Sequence, residues 1–248
     1  MKNILKNVTL SQLAGSAAIM LAALFWSIDG LFIRPALYAL PAELVVLLEH
    51  TFGLIVLAPF LFISWREIKA LSGKSWFAIG WVSLFGGAIG TIFITQAFFA
   101  AMAGSVSFAT VVILQKLQPV FALLLARIIL KEKLDKGFYL WAAVAIAASY
   151  VIAFGKTGLT IAGIDWTHSA AFFSVIAAFA FGSSTVFGKR AADNLDYRAV
   201  AAVRFALTAA LMLALTVFTG AITKIGAVAP VQWSLFGLIV CTSGEDSG

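Results

Sequence analysis

The sequence predicts an all-α integral membrane protein: an inverted repeat of five-helix units, with about seven complete transmembrane helices present and a partial eighth. Three observations predict it. The chain is 62% hydrophobic and 11% charged, with a mean hydropathy of +1.03, where a soluble domain carries about a quarter charged residues. Its apolar residues gather in runs near 12–33, 43–64, 76–101, 105–129, 137–155, 169–188 and 197–219. Residues 22–57 and 177–212, 155 apart, read as one unit written twice.

Each run holds about 19 residues or more, enough for a hydrocarbon core of ~30 Å at ~1.5 Å per residue. The runs are rich in Ala, Leu, Phe and Gly without period-2 alternation, which argues for helices over barrel strands. The first follows Lys2 and Lys6 like a signal peptide, but it is too long and carries Asp29, so it reads as an uncleaved helix. A Pro-bounded turn, residues 34–41, leads to the second span, and residues 102–104 join the third to the fourth without a charge. Pro119 removes one backbone donor and should kink the fourth span. The longest links are residues 156–168 and 219–229. An eighth run starts at Pro230 and loses its apolar character after Cys241; at roughly 18 Å it is too short to span.

In the repeat, Phe32 meets Phe187, Arg34 meets Lys189 and Glu49 meets Arg204. A unit that recurs after five spans re-enters the membrane from the opposite side, so residues 1–155 form a first unit and 156–248 a second, inverted and incomplete one. With the N-terminus cytoplasmic, the inner side receives Lys2, Lys6, Arg66, Lys69, Lys74, Arg127, Lys131, Lys133, Lys136, Lys189, Arg190 and Arg198, the outer side only Arg34, Lys156 and Lys224. Twelve against three fixes the orientation by the positive-inside rule. The net charge of +6 is therefore topological and gives no sign of a nucleic-acid partner; the partners expected are the bilayer and a small-molecule substrate, with a homodimer left open. One cysteine excludes an internal disulfide, and His50 and His168 lie too far apart for a metal site. No Walker loop or HExxH is present, so no cofactor, no metal and no catalytic residue are expected.

The segment 117–134, LQPVFALLLARIILKEKL, resembles the fourth helix of EamA-like transporters of the drug/metabolite transporter (DMT) superfamily, with Pro119 mid-helix, a small/Leu-rich stretch at 122–126 and Glu132 at the cytoplasmic end. Phe25, Trp26 and Ser27 followed by Arg34 resemble the family's first helix, and 181–189 repeats the pattern. Arg204 matches a basic residue of the family's second helix in each unit, where the first unit has Glu49 instead. The resemblance covers residues 12–240. It implies ten helices in two units, an inner-membrane location and transport of a small metabolite.

Charges within a span cost about 2.5–3.5 kcal/mol at its centre and usually face a cavity or a partner. Asp29, Glu49, His50 and Gln96 fall at a similar depth in the outer third; Ser183, Ser184 and Arg204 fall comparably near the inner face. Asp29 and Glu49 read either as solvated interfacial groups or, for Glu49 with His50, as a site that takes and releases a proton. Adjacent residues point ~100° apart, so Glu49 and His50 cannot face one cavity squarely. Gln115 and Gln118 share a helix face as substrate-binding amides or as interhelical glue. Lys116 either lines the cavity, facing an anionic substrate group or Glu49, or packs against a partner on another helix. Trp26 and Phe181 occupy equivalent places in the two units, as cavity walls or as lipid-facing aromatics. Gly86 and Gly90 form a GxxxG packing face.

Together these features predict a secondary transporter working by alternating access, proton- or exchange-coupled. A channel or structural partner is the alternative, and an intramembrane enzyme lacks any clustered chemistry. Trp76, Gly80 and Gly87 are echoed at Trp233, Gly237 and Gly244, an offset of 157. A full second unit would extend to about 310 residues, so a C-terminally truncated chain is expected.

Overall fold

The computed structural model describes residues 10–154, 169–191 and 196–243. Helix α1 (Leu10–Ile28) continues through a π-helical segment, Asp29–Ile33, into a last turn, Arg34–Ala36. Helices α2 (Ala42–Ile63), α3 (Gly73–Met102), α4 (Phe108–Leu130), α5 (Lys136–Phe154), α6 (Ala170–Ala191) and α7 (Tyr197–Thr219) follow, then a 3-10 segment, Ala221–Ala227, and α8 (Pro230–Ser243). Among the described residues there is no strand.

Five stretches are long and apolar enough to cross a membrane: Ala42–Ile63, Gly73–Met102, Phe108–Leu130, Ala170–Lys189 and Tyr197–Thr219. Ala221–Ala227 and Pro230–Ile239, bent by 113°, make a sixth if taken as one span. The apolar part of α5, Gly137–Ile152, is shorter. Helices stand at every predicted place, but the count of complete spans among the described residues is five or six where seven and a part were expected.

Local chemistry sets the ends. Ser72 and Ser107 cap α3 and α4 by accepting from the Ser75 and Thr110 N–H, and Asp196 caps α7 from the Arg198 N–H. Gly220, left-handed at φ 76°, closes α7. The end of α1 departs from expectation. Arg34, assigned to the outer turn, lies inside the helix and is buried, because the π segment carries the helix on to Ala36 with the Arg34 N–H bonded to the Asp29 carbonyl.

In lipid, helices associate by close packing rather than by hydrophobic burial, so small residues mark the seams. Helix α7 lies along α2, and α6 lies along α3 and α4. The GxxxG of α3 seats Gly86 against Ser184 and Gly90 against Phe181, both on α6, while Gly87 faces Thr208 of α7. Thr208 donates across the seam to the Ser83 carbonyl at 3.1 Å. Gly182 brings α6 onto the α4 backbone beside its break: a Cβ there would stand 2.9 Å from the Gln118 carbonyl oxygen and 3.0 Å from the Ala122 nitrogen. Helix α8 returns to α1 and α2, where Gln232 donates to the Ala36 carbonyl and Trp233 and Phe236 meet Phe52.

Backbone atoms cannot yield as a side-chain tip can. Gly182→Val should therefore lower stability by about 1–3 kcal/mol, while Gly188→Ala, with open space at its Cβ, should stay within about 0.5 kcal/mol. Thermal unfolding in detergent tests the pair, and equal midpoints would contradict the seam.

Candidate functional site

Four polar side chains from three helices meet inside the bundle. Asp29 and Arg34 come from the end of α1, Glu49 from α2 and Thr95 from α3. The Arg34 Nε donates to Asp29 Oδ2 at 2.6 Å and Nη1 to Thr95 Oγ1 at 2.6 Å. Its Nη2 lies 3.1 Å from each Glu49 oxygen. Asp29 is 1% exposed, and Glu49 and Arg34 5%. Asp29 and Glu49 are thus not solvated, as one reading of the sequence had them: both are buried in the protein and paired with Arg34.

The π segment makes this possible. Five residues apart on an α-helix is about 140° round the axis, which would turn Asp29 away from Arg34. An i→i+5 turn stacks them instead. The arginine then supplies planar donors to three acceptors at once, the geometry for which guanidinium suits better than ammonium. One positive group serves two carboxylates, so the cluster carries one net negative charge when both are ionised. Asp29 Oδ1 is buried with no hydrogen-bond partner among the described residues.

Glu49 and His50 part company, as their angular spacing requires. Glu49 faces Arg34 on α1. The His50 Nδ1–H donates to the Val46 carbonyl at 2.9 Å, and its ring lies 5.0 Å from that of Phe205 on α7, which also fills the space over Gly53. Arg204, half-buried beside Phe205, holds its guanidinium 5.3 Å from that ring. His50 belongs to the α2–α7 seam.

A second feature lies beside the cluster. A cleft of about 120 Å³ opens between α1 and α3–α4, lined by Trp26, Ser27, Gly30, Leu31, Phe98 and Val112. Helix α4 breaks just below it. Its first half ends at Gln115, Lys116 and Leu117 form a tighter turn, and Gln118 and Pro119 restart the helix. The exposed Lys116 holds its ammonium 5.3 Å from the centre of the Trp26 ring, so it pairs with neither Glu49 nor any other carboxylate among the described residues. Gln115 is buried, and its Oε1 has no hydrogen-bond partner among the described residues.

The remaining expected residues are elsewhere. Gln96 is half-buried on α3 next to Thr95, and Gln118 is half-buried with its carbonyl against Gly182. Phe181 and Ser184 lie in the α3–α6 seam, against Gly90 and Gly86. The sequence reading missed Arg34 and Thr95 as site residues. The signal for Arg34 was the acid five residues before it; for Thr95 there was only its neighbour Gln96.

Residues 13–154 match the model of the EamA-like transporter family. The chain is also 33% identical over 228 residues to the riboflavin transporter ImpX of Fusobacterium nucleatum subsp. nucleatum, an alignment covering 91% of this chain and 75% of that protein.

Removing the arginine strands two buried carboxylates, whereas removing Glu49 leaves a balanced Arg34–Asp29 pair. Arg34→Gln is expected to destabilise the protein by about 3–5 kcal/mol, Glu49→Gln by clearly less, and Asp29→Asn with Glu49→Gln to rescue Arg34→Gln. Denaturant unfolding in detergent micelles reads all of these; an Arg34→Gln variant no weaker than Glu49→Gln would rule out the cluster as described.

Proposed function

The chain belongs to the EamA-like transporter family, and from that premise we propose that it is a secondary transporter working by alternating access, with a flat heteroaromatic solute of the riboflavin kind as its cargo. It is a membrane transporter of a small solute and not an enzyme. The observation that carries the finer reading is the cleft between α1 and α3–α4, where the Trp26 and Phe98 rings line the wall and a lysine stands over the Trp26 ring. At about 120 Å³ it is smaller than the ~300–1,000 Å³ of a typical small-molecule site. It would hold one ring system and leave the rest of a solute in the space beyond.

Alternating access is proposed from two inverted five-helix units divided near residue 155. The family match over residues 13–154 supports that division. The break in α4 and the π segments in α1, α3 and α4 support movement between two states, since such segments are places where a helix changes register. The proposed location is the cytoplasmic membrane with the N-terminus inside. The basic-residue bias supports it more strongly once Arg34 is removed from the outer count.

Coupling is assigned to the Asp29–Arg34–Glu49 cluster in place of the Glu49–His50 pair. A proton on either carboxylate makes the cluster neutral, and a neutral cluster crosses an occlusion step without an unpaired charge in low dielectric. His50 is held in its own seam.

Purified protein in proteoliposomes should exchange labelled riboflavin against unlabelled riboflavin in a saturable way. Trp26→Ala should raise KM by roughly two- to tenfold through loss of a stacking face. Non-saturating flux, or an unchanged KM, would remove this reading. Separately, Asp29→Asn or Glu49→Gln should preserve exchange while abolishing the response of net uptake to an imposed pH gradient. A full response in both variants would return the coupling to another site.

A further inference from the structure

We propose that Lys116 is a specificity-determining residue, and that among flat aromatic solutes the Trp26 cleft binds those carrying an anionic group more tightly than neutral ones such as riboflavin. This rests on reading that cleft as the place where the solute binds.

Lys116 sits eight residues into α4, which runs Phe108–Leu130, about 12 Å from the helix start at 1.5 Å per residue. A cation so deep in a span ordinarily has a partner or faces a polar cavity. The Lys116 ammonium makes no hydrogen bond or ion pair among the described residues; its contact is the Trp26 face, 5.3 Å away. That contact orients the ammonium but uses none of its three donors. The break at Lys116–Leu117 keeps it exposed instead of burying it between helices.

The position relates it to the cleft. Val112, one turn earlier on the same helix face, is a cleft wall, and Trp26 belongs to both the cleft and the lysine contact. A ring placed against Trp26 would bring a substituent at its edge towards the ammonium. A carboxylate or phosphate there would accept charge-assisted hydrogen bonds, which a neutral substituent matches only weakly.

Two probes of matched shape separate charge from ring: indole-3-acetate and indole-3-acetamide. Calorimetry on the purified full chain should show the acetate binding about tenfold tighter than the acetamide. Lys116→Gln should bring the acetate to the acetamide level with the acetamide unchanged, and Lys116→Arg should retain the preference. Equal affinities in the unaltered protein, binding of neither probe, or an equal loss of both in Lys116→Gln would overturn the proposal. Riboflavin exchange in proteoliposomes tells the two readings apart. Intact exchange with no preference for the acetate defeats only the role of Lys116, while a retained preference without riboflavin exchange defeats only the riboflavin-like cargo.

Discussion

A guanidinium buried among two carboxylates and a hydroxyl governs the architecture around the end of α1. In a low-dielectric interior each of these charges is unstable alone, so Arg34 must reach Asp29, Glu49 and Thr95 together. That requirement draws α1, α2 and α3 to one point. It also accounts for the π segment at the end of α1, because only the wider turn places Asp29 and Arg34 on one side of the helix. Apolar packing around Leu44, Val45 and Val46 fills the space next to the cluster but does not choose which helices meet there.

Elsewhere the constraint is size. Glycines on α2, α3 and α6 leave room for Phe205, Ser184, Thr208, Phe181 and the α4 backbone. Alanines on α6 and α7, among them Ala177, Ala178, Ala199 and Ala202, are buried in the same seams. Polar clamp and glycine seams divide the labour. The clamp holds α1, α2 and α3 at one end, and the seams lay α6 and α7 along α2, α3 and α4. What is left over between α1 and α3–α4 is the Trp26 cleft, bordered by a helix break that Pro119 makes permanent.

The spans were legible because apolar runs and their Pro, Gly, Ser and Asp boundaries are written locally. The GxxxG face of α3 was legible for the same reason. Arg34 was misplaced because its identity and its nearness to Pro35 both suggest a loop, and the π segment that contradicts this depends on partners 15 and 61 residues away. Glu49 and His50 were recognised as interior candidates, yet adjacency in sequence hid that they face different helices. Phe181 looked like the counterpart of Trp26 in the repeat and Ser184 like a polar group near the inner face, but the seam against α3 claims them. For Lys116 the open choices were an anionic substrate group, Glu49 or a partner on another helix; an aromatic face 90 residues away could not be inferred from a single chain.

By itself the sequence determined a helical membrane protein, the places of its helices and a loose likeness to its transporter family, because hydropathy, capping and chain punctuation act over a few residues. The tertiary structure alone decided which polar residues share a site. Pairing of buried charges, the fit of a ring over a glycine and the position of a cation above a tryptophan depend on distances between helices, and no local rule of the sequence contains those distances.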